Sequence, residues 1–389
     1  MPVRAHRSNL LVAAGVALGC LWLIGCDSAP QGRAQGETVA TVDGVRIRVD
    51  TFASGLEVPW SIVFTAPDRM LVAERPGRVR SIVSGVVGTR PLLVLDDVEE
   101  RSETGLMGLT LHPEYASNRQ VYLAYAYASG PDIRVRIVRL RDDGESMSDR
   151  RVIIEGLPAA RFHAGCRIGF GPDGMLYVTV GDATEPESAQ DLNSLAGKTL
   201  RLTPDGAVPG DNPFVGRAGA RPEIWSYGHR NAQGLDWQPG TGLMFQSEHG
   251  PSGGDAPGGG DEINIVESGM NYGWPTVHHK QSMVGMVDPL IEFTPAVAPA
   301  SGMFYRGDAF AQFKGNFLVG ALRGESLIRL VLDGRRLVRH EILLGGAYGR
   351  LRAVTEGPDG AIYVATSNRD GRGEPASNDD RILRLTPQP

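Results

Sequence analysis

The stretch RFHAGCRIGFGPDGMLYVTVGD, residues 161–182, decides how the rest of the chain is read. Its centre, Pro172-Asp173-Gly174, is a tight-turn signal between two apolar runs, so the segment reads as a β-hairpin. His163 lies ten residues before Asp173 and Asp182 nine after it. Folding at the turn brings both to the open end of the hairpin. An imidazole beside a carboxylate suits a general base and its orienting partner.

The pattern of that hairpin recurs. GPDGMLYV at 171–178 returns as GPDGAIYV at 357–364, with weaker copies APDRMLVAE (66–74), HPEYASNRQVYLAY (112–125), QPGTGLMFQSE (238–248) and FKGNFLVGAL (313–322). A second pattern follows each copy: GRVRSI at 77–82, RIVRL at 136–140, KTLRL at 198–202, LIRL at 327–330 and RILRL at 381–385, with EINIV at 262–266 in the fourth unit. Two patterns that recur in order through six units, with no helical periodicity, predict an all-β fold. They specify a six-bladed β-propeller with four-stranded antiparallel blades. Gly 51 and Pro 26 supply the many turns this needs.

The repeat then predicts which side chains meet. His163 precedes Pro172 by nine residues, Arg230 precedes Pro239 by nine, Gly349 precedes Pro358 by nine with Arg350 and Arg352 alongside, and Glu103 precedes Pro113 by ten. Equivalent positions at one end of equivalent strands converge on one mouth of the central channel. Glu103, His163, Arg230, Arg350 and Arg352 are therefore expected to form a ring. Several arginines aimed at one cavity repel one another, so the site is expected to take a ligand bearing several carboxylates or phosphates. Just beyond the fourth copy, the Gly250-Pro251 carbonyls and the acids Asp261 and Glu262 are hard oxygen donors of the kind Ca²⁺ takes. The glycine-rich stretch between them also reads as a flexible loop.

Composition narrows the remaining classes. The 389 residues carry 45 acids against 39 bases, a formal charge of −6, and no basic run, which argues against a nucleic-acid partner. Arg4 and Arg7 before the apolar run 10–24 read as a secretory signal over residues 1–25, ending in Leu23-Ile24-Gly25-Cys26, which resembles a bacterial lipobox. The expectation is a lipid anchor on Cys26, a polar tether over 26–40, and a catalytic propeller over 41–389. The run is short for a membrane span, which needs roughly 20 apolar residues. A periplasmic location follows, with Asp27 favouring the inner membrane. Cys166 is left without an intramolecular partner, so the fold must be held by its core alone.

HAGCRIGFGPDGMLYVTVGD, GKTLRLTPDGAVPGDNPF (197–214), YGHRNAQGLDW (227–237), SEHGP, DEIN and NYGWP (271–275) appear in order. Together they resemble the soluble glucose and aldose sugar dehydrogenases that depend on pyrroloquinoline quinone (PQQ), the glucose/sorbosone dehydrogenase family, over about residues 50–387. The resemblance implies a six-bladed propeller with PQQ and Ca²⁺ at the channel mouth, oxidising an aldose to its lactone and passing electrons to a periplasmic or membrane acceptor. It implies that His163 is the base and Asp182 its partner. Glu103, Arg230, Asn231, Arg323, Arg350 and Arg352 would face the cofactor. Gly250 and Pro251 would hold the catalytic Ca²⁺, and Glu262 with the Tyr272 region a structural one. Arg323 stands where the glucose enzyme has Lys, Glu103 where it has Gln, and residues 252–260 are an insertion. Two other readings are a Ca²⁺-dependent propeller lactonase, which needs carboxylates on a central metal where this chain has arginines, and a non-catalytic carbohydrate- or protein-binding propeller, which need not keep His163 and Asp182.

Overall fold

The computed structural model describes residues 36–251 and 258–388. The leader, the lipobox at Cys26 and residues 252–257 of the insertion lie outside the described residues. Six antiparallel sheets follow one another along the chain. Blade 1 comprises Pro59–Ala66, Arg69–Glu74 and Arg78–Val83, with the short Val86–Val87 and Leu93–Val94 both paired to its third strand. Blade 2 comprises Leu106–Leu111, Gln120–Ser129, Asp132–Asp142 and Met147–Ala159. Blade 3 is built from Ile168–Phe170, Leu176–Val180, Lys198–Leu202 and Ile224–Tyr227, and blade 4 from Ala232–Trp237, Met244–Glu248, Asp261–Val266 and Ile291–Phe293. Blade 5 uses Pro299–Phe304, Phe317–Ala321, Ser326–Asp333 and Arg336–Leu343. Blade 6 takes Leu351–Glu356, Ile362–Thr366 and Ile382–Gln388 from the end of the chain and completes itself with Arg46–Ala53 and Glu37–Ala40 from its beginning.

The first strand of each blade packs beside the first strand of the next, and that of blade 6 returns to that of blade 1, closing a six-bladed propeller. Each copy of the first sequence pattern is a second strand, and each copy of the second pattern is a third strand. The two clearest copies owe their likeness to one network. In blade 3, Asp173 of the turn accepts from the Met175 N–H at 3.1 Å, the Tyr177 hydroxyl at 3.0 Å and Arg201 Nε at 3.0 Å. In blade 6, Asp359 accepts from Ala361 N–H at 3.1 Å, Tyr363 at 3.1 Å and Arg384 Nε at 3.0 Å. The turn aspartate, the strand tyrosine and the arginine of the next strand are thus one structural unit, which is why they recur together.

The core is six apolar layers, one between each pair of neighbouring blades. Leu71, Leu106 and Leu123 join blades 1 and 2, and Tyr122, Ile137, Leu176 and Val178 join blades 2 and 3. Where the inner strands of blades 4 and 5 approach most closely there is no room for a side chain: a Cβ on Gly234 would stand 2.6 Å from the Gly302 nitrogen. The strand Glu37–Ala40 falls inside the segment that the sequence boundary at residue 40 assigns to a tether. It pairs with residues Arg46 to Val49, so the ordered sheet begins earlier than composition suggests.

Candidate active site

The side chains that the repeat brings together stand on loops entering the inner strands, at the end of the ring where those strands begin. A cavity of about 530 Å³ opens there, lined among others by Glu103, His163, Arg230, Arg323 and Arg350. Five of the sequence-predicted residues therefore face one space.

His163 precedes the inner strand of blade 3 in a left-handed backbone conformation, φ 57°. Three contacts hold it there. Its N–H donates to Glu103 Oε2 at 3.1 Å, its carbonyl accepts from the Ala183 N–H at 3.3 Å, and its Nδ1 lies 2.7 Å from Asp182 Oδ1. Gly181 has to be glycine, because a Cβ there would overlap the His163 carbonyl. Asp182 is fully buried and also accepts from Thr184 N–H and Trp274 Nε1, each at 2.8 Å. With Nδ1 donating to a carboxylate, the imidazole carries its proton on Nδ1, and its Nε2 lone pair is the one available as a base.

Glu103 is a hub. Besides the His163 N–H it receives Arg372 Nη1 at 3.0 Å and Asn231 Nδ2 at 3.4 Å. Burial pushes its carboxyl up, but His249, Arg372 and the His163 N–H outweigh burial and hold it below the usual range. Because burial pushes His249 itself down, Arg372 is the lasting cation of that set. Asn231 turns its carbonyl oxygen to the Gly165 N–H at 3.2 Å, so this side chain braces the loop that carries His163.

The arginines are not equivalent. Arg350 is held by Asp370, with Nε at 2.9 Å and Nη2 at 2.8 Å. Arg352 lies beneath the cavity, where it contacts Ser367 at 3.0 Å and Asp370 at 3.5 Å. Burial brings its guanidinium down to about 10, although Asp370 opposes this. The expectation that these arginines are balanced only by a bound polyanion is therefore corrected: Asp370 already neutralises part of the pair, and Arg352 does not line the cavity. Arg230 donates to the His249 carbonyl at 3.2 Å, receives Glu248 at its backbone N–H, and lies over the Trp274 ring at 5.3 Å. Arg323 is exposed on the cavity rim and makes no ion pair among the described residues.

The expected metal ligands lie next door. A void of about 10 Å³, room for one water-sized body, is bounded by Glu248, Gly250, Pro251, Glu262 and Tyr272 among others. Burial, and then the neighbouring Glu248, raise the Glu262 carboxyl to about 8. Two acids pressed together in this way fit a divalent cation. The Pro251 carbonyl already accepts the Gly259 N–H at 2.8 Å. The Tyr272 hydroxyl points elsewhere, to the Ile265 carbonyl at 2.7 Å, so only its main chain and ring border the void. Asp261 is structural: it binds Gly250 N–H at 2.8 Å and the Val297 and Ala298 N–H groups at 2.7 Å each. Among the described residues no group of three His, Cys, Asp or Glu side chains is arranged around a metal position.

Sequence reasoning missed Arg372, Asp370 and the ring of Trp274. The first two sit on a loop after the second strand of blade 6 that no repeat marks. His249 lies inside the SEHGP motif, and its imidazole Nε2 is tied to the Pro299 carbonyl at 2.9 Å. Cys166 is buried in the layer between blades 2 and 3, and burial pushes its thiol up to about 12, so it is an inert core residue.

The sequence profile of the family described as Glucose / Sorbosone dehydrogenase matches residues 56–383. The chain is 33% identical over 346 residues to the aldose sugar dehydrogenase YliI of Escherichia coli, covering 84% of this chain and 91% of that protein. A putative oxidoreductase (glucose dehydrogenase) from Thermus thermophilus superposes with a TM-score of 0.81 at 48% identity, over 87% of this chain and 99% of the other. The PQQ-bound aldose sugar dehydrogenase of Streptomyces coelicolor gives 0.77 at 34% identity, over 88% and 98%. With the propeller, the His163–Asp182 pair and this agreement over nearly the whole propeller, the chain belongs to the glucose/sorbosone dehydrogenase family of sugar oxidoreductases.

Proposed function

We propose that the protein oxidises an aldose at its anomeric carbon, giving the lactone, with PQQ and Ca²⁺ as cofactors. The observation that carries this reading is the His163 Nδ1–Asp182 contact at 2.7 Å on the wall of a cavity that Arg230, Arg323 and Arg350 also line. Those residues fit a flat tricarboxylate: Arg323 on the rim has no carboxylate partner among the described residues, and Arg350 keeps one face toward the cavity while Asp370 fixes its other. The Gly250 and Pro251 carbonyls border the same small void as Glu248 and Glu262, and this set would hold one Ca²⁺ beside the cofactor. When bound, PQQ supplies a hydride acceptor whose carbonyl Ca²⁺ polarises.

The chain's own residues do the rest. His163 takes the proton of the anomeric hydroxyl at Nε2, and the buried Asp182 carboxylate stabilises the imidazolium that forms. Glu103 and Gly181 fix the backbone of His163, so the imidazole meets the sugar in one orientation. Arg230, stacked toward Trp274, positions the cofactor edge nearest the base, while Asn231, expected from sequence to face the cofactor, is buried off the cavity wall and braces the loop that carries His163. A lipid anchor at Cys26, a periplasmic location and a periplasmic or membrane electron acceptor complete the reading. The test is reconstitution with PQQ and Ca²⁺ followed by dye reduction across a panel of aldoses. Lactone formation is expected; no turnover on any aldose together with no PQQ binding overturns the proposal.

A further inference from the structure

We propose that a second groove beside the cavity is a subsite for the next sugar unit of an oligosaccharide whose reducing end reacts at His163. The inference rests on the aldose reading above. The groove holds about 520 Å³, within the roughly 300–1,000 Å³ typical of small-molecule sites. It runs between the start of the third strand of blade 2, which carries Asp132 and Arg134 just after the hairpin turn, and the segment following Asp182. Thr184 lines both spaces; Pro186 faces only the cavity, and Ala183 and Glu185 only the groove. A ridge one residue wide is therefore all that separates them.

The ridge is built to keep its shape. Ala183 and Thr184 are successive non-glycine residues in the left-handed region, φ 54° and 63°, a conformation that persists only where neighbours over-determine it. The neighbours are the proposed catalytic pair. Ala183 N–H donates to the His163 carbonyl at 3.3 Å, Thr184 N–H to Asp182 Oδ1 at 2.8 Å, and Glu185 N–H to the Asp182 carbonyl at 2.9 Å. The partition between the two spaces is thus held in register with the base.

The chemistry of the groove selects a neutral polyol. Arg101 and Arg134 are matched by Asp132 and Glu185, so the cationic excess of the first cavity is absent. Arg134 and Asp132 pair at 2.8 Å, presenting a donor and an acceptor side by side, as adjacent sugar hydroxyls require. Pro158 and Ala160 add an apolar surface for the C–H face of a ring. An aldose held by its anomeric carbon at His163 directs its far end away from the imidazole, and a unit linked there needs a polar groove beyond the rim.

The experiment compares the parent with the double variant Asp132→Ala/Arg134→Ala in the full chain. Both side chains reach solvent at the first residues of a strand and pair only with each other, and substitution there costs little stability. With PQQ and Ca²⁺, kcat/KM on maltose is expected to fall about tenfold in the variant, through KM, while kcat/KM on glucose stays within about twofold. In cofactor-free protein, calorimetry should show methyl β-maltoside, whose anomeric oxygen is blocked, binding the parent and binding the variant about tenfold more weakly. Equal effects on both sugars, no effect on either, or no binding of the blocked disaccharide overturns the subsite while leaving the aldose reading intact. Failure to oxidise any aldose overturns both.

Discussion

Asp182→Asn isolates the carboxylate from the space it fills. The parent side chain is fully buried and receives three donors: His163 Nδ1 at 2.7 Å and Thr184 N–H at 2.8 Å on one oxygen, Trp274 Nε1 at 2.8 Å on the other. An amide has one oxygen. If it keeps His163 and Thr184, its NH₂ faces the Trp274 N–H, two donors in a dry site, at a cost of about 1–3 kcal/mol in stability. If it turns to satisfy Trp274, its NH₂ meets Nδ1, the imidazole proton moves to Nε2, and the base loses its lone pair. Either way the negative charge that stabilises the imidazolium is gone. General-base catalysis contributes roughly 10²–10⁴, so a loss in kcat of that size, about 3–5 kcal/mol of barrier, is expected. The assay is dye-linked aldose oxidation on reconstituted protein, with PQQ binding followed separately by absorbance. A variant that binds PQQ and retains a third or more of parental kcat refutes the assignment of Asp182 and the tautomer argument with it.

Four further outcomes are expected. Gly181→Ala forces a Cβ into the His163 carbonyl; it should lower stability by about 3 kcal/mol, read as a urea midpoint, or abolish turnover by moving the base. Arg372→Gln removes the cation that holds Glu103 low, so Glu103 protonates at higher pH. The acid limb of the kcat/KM profile should shift upward, and an unmoved limb refutes the hub role. In metal-free protein Glu262 is raised to about 8, above its unfolded value, so the folded state binds the extra proton and thermal stability should fall as pH rises from 6 to 8. Added Ca²⁺ should then stabilise more at pH 8 than at pH 6, and a pH-independent melting temperature refutes the crowded-acid picture. Asp43→Asn breaks a two-point contact with the buried Arg329 at 2.9 and 3.0 Å and should cost about 1–2 kcal/mol at pH 7. Since that carboxyl is held below its unfolded value by the Arg329 hydrogen bonds, the difference should be full above about pH 4 and shrink as pH falls further. Parallel denaturation curves at all pH values refute it.

The parts of the fold that sequence reveals are those where the same residues perform the same task in more than one unit. The turn aspartate, the strand tyrosine and the third-strand arginine are such a set in blades 3 and 6, and the weaker copies aligned on them locate the second and third strands of the other blades. Fourth strands are legible in no unit. They form the outer edges, tolerate solvent on one side and carry no shared contact, and in blade 6 they come from the far end of the chain. The site divides in the same way. Glu103, His163, Arg230 and Arg350 hold equivalent positions before inner strands, so counting back from the turns finds them. Asp370 and Arg372 hold no equivalent position, and Arg372 reaches Glu103 across 269 residues of sequence. A contact made only by the way one loop crosses the channel leaves no periodic trace. The same loop explains why the arginines looked unbalanced in sequence: their counter-charge is Asp370.

Blade 6 is completed by pairing Arg46–Ala53 with Ile382–Gln388. For the cell this makes the order of synthesis matter. The strand Arg46–Ala53 has only the short strand Glu37–Ala40 beside it until Ile382–Gln388 has left the ribosome, so five finished blades form an open arc with two raw edges. Such edges template association with other chains, and a truncation of only the last few residues should yield aggregates where an internal loop deletion would not. The catalytic mouth inherits the same timing. Its walls come from both sides of the seam, so there is no stage of folding at which half a site can bind its ligands, and cofactor capture has to wait for a closed ring.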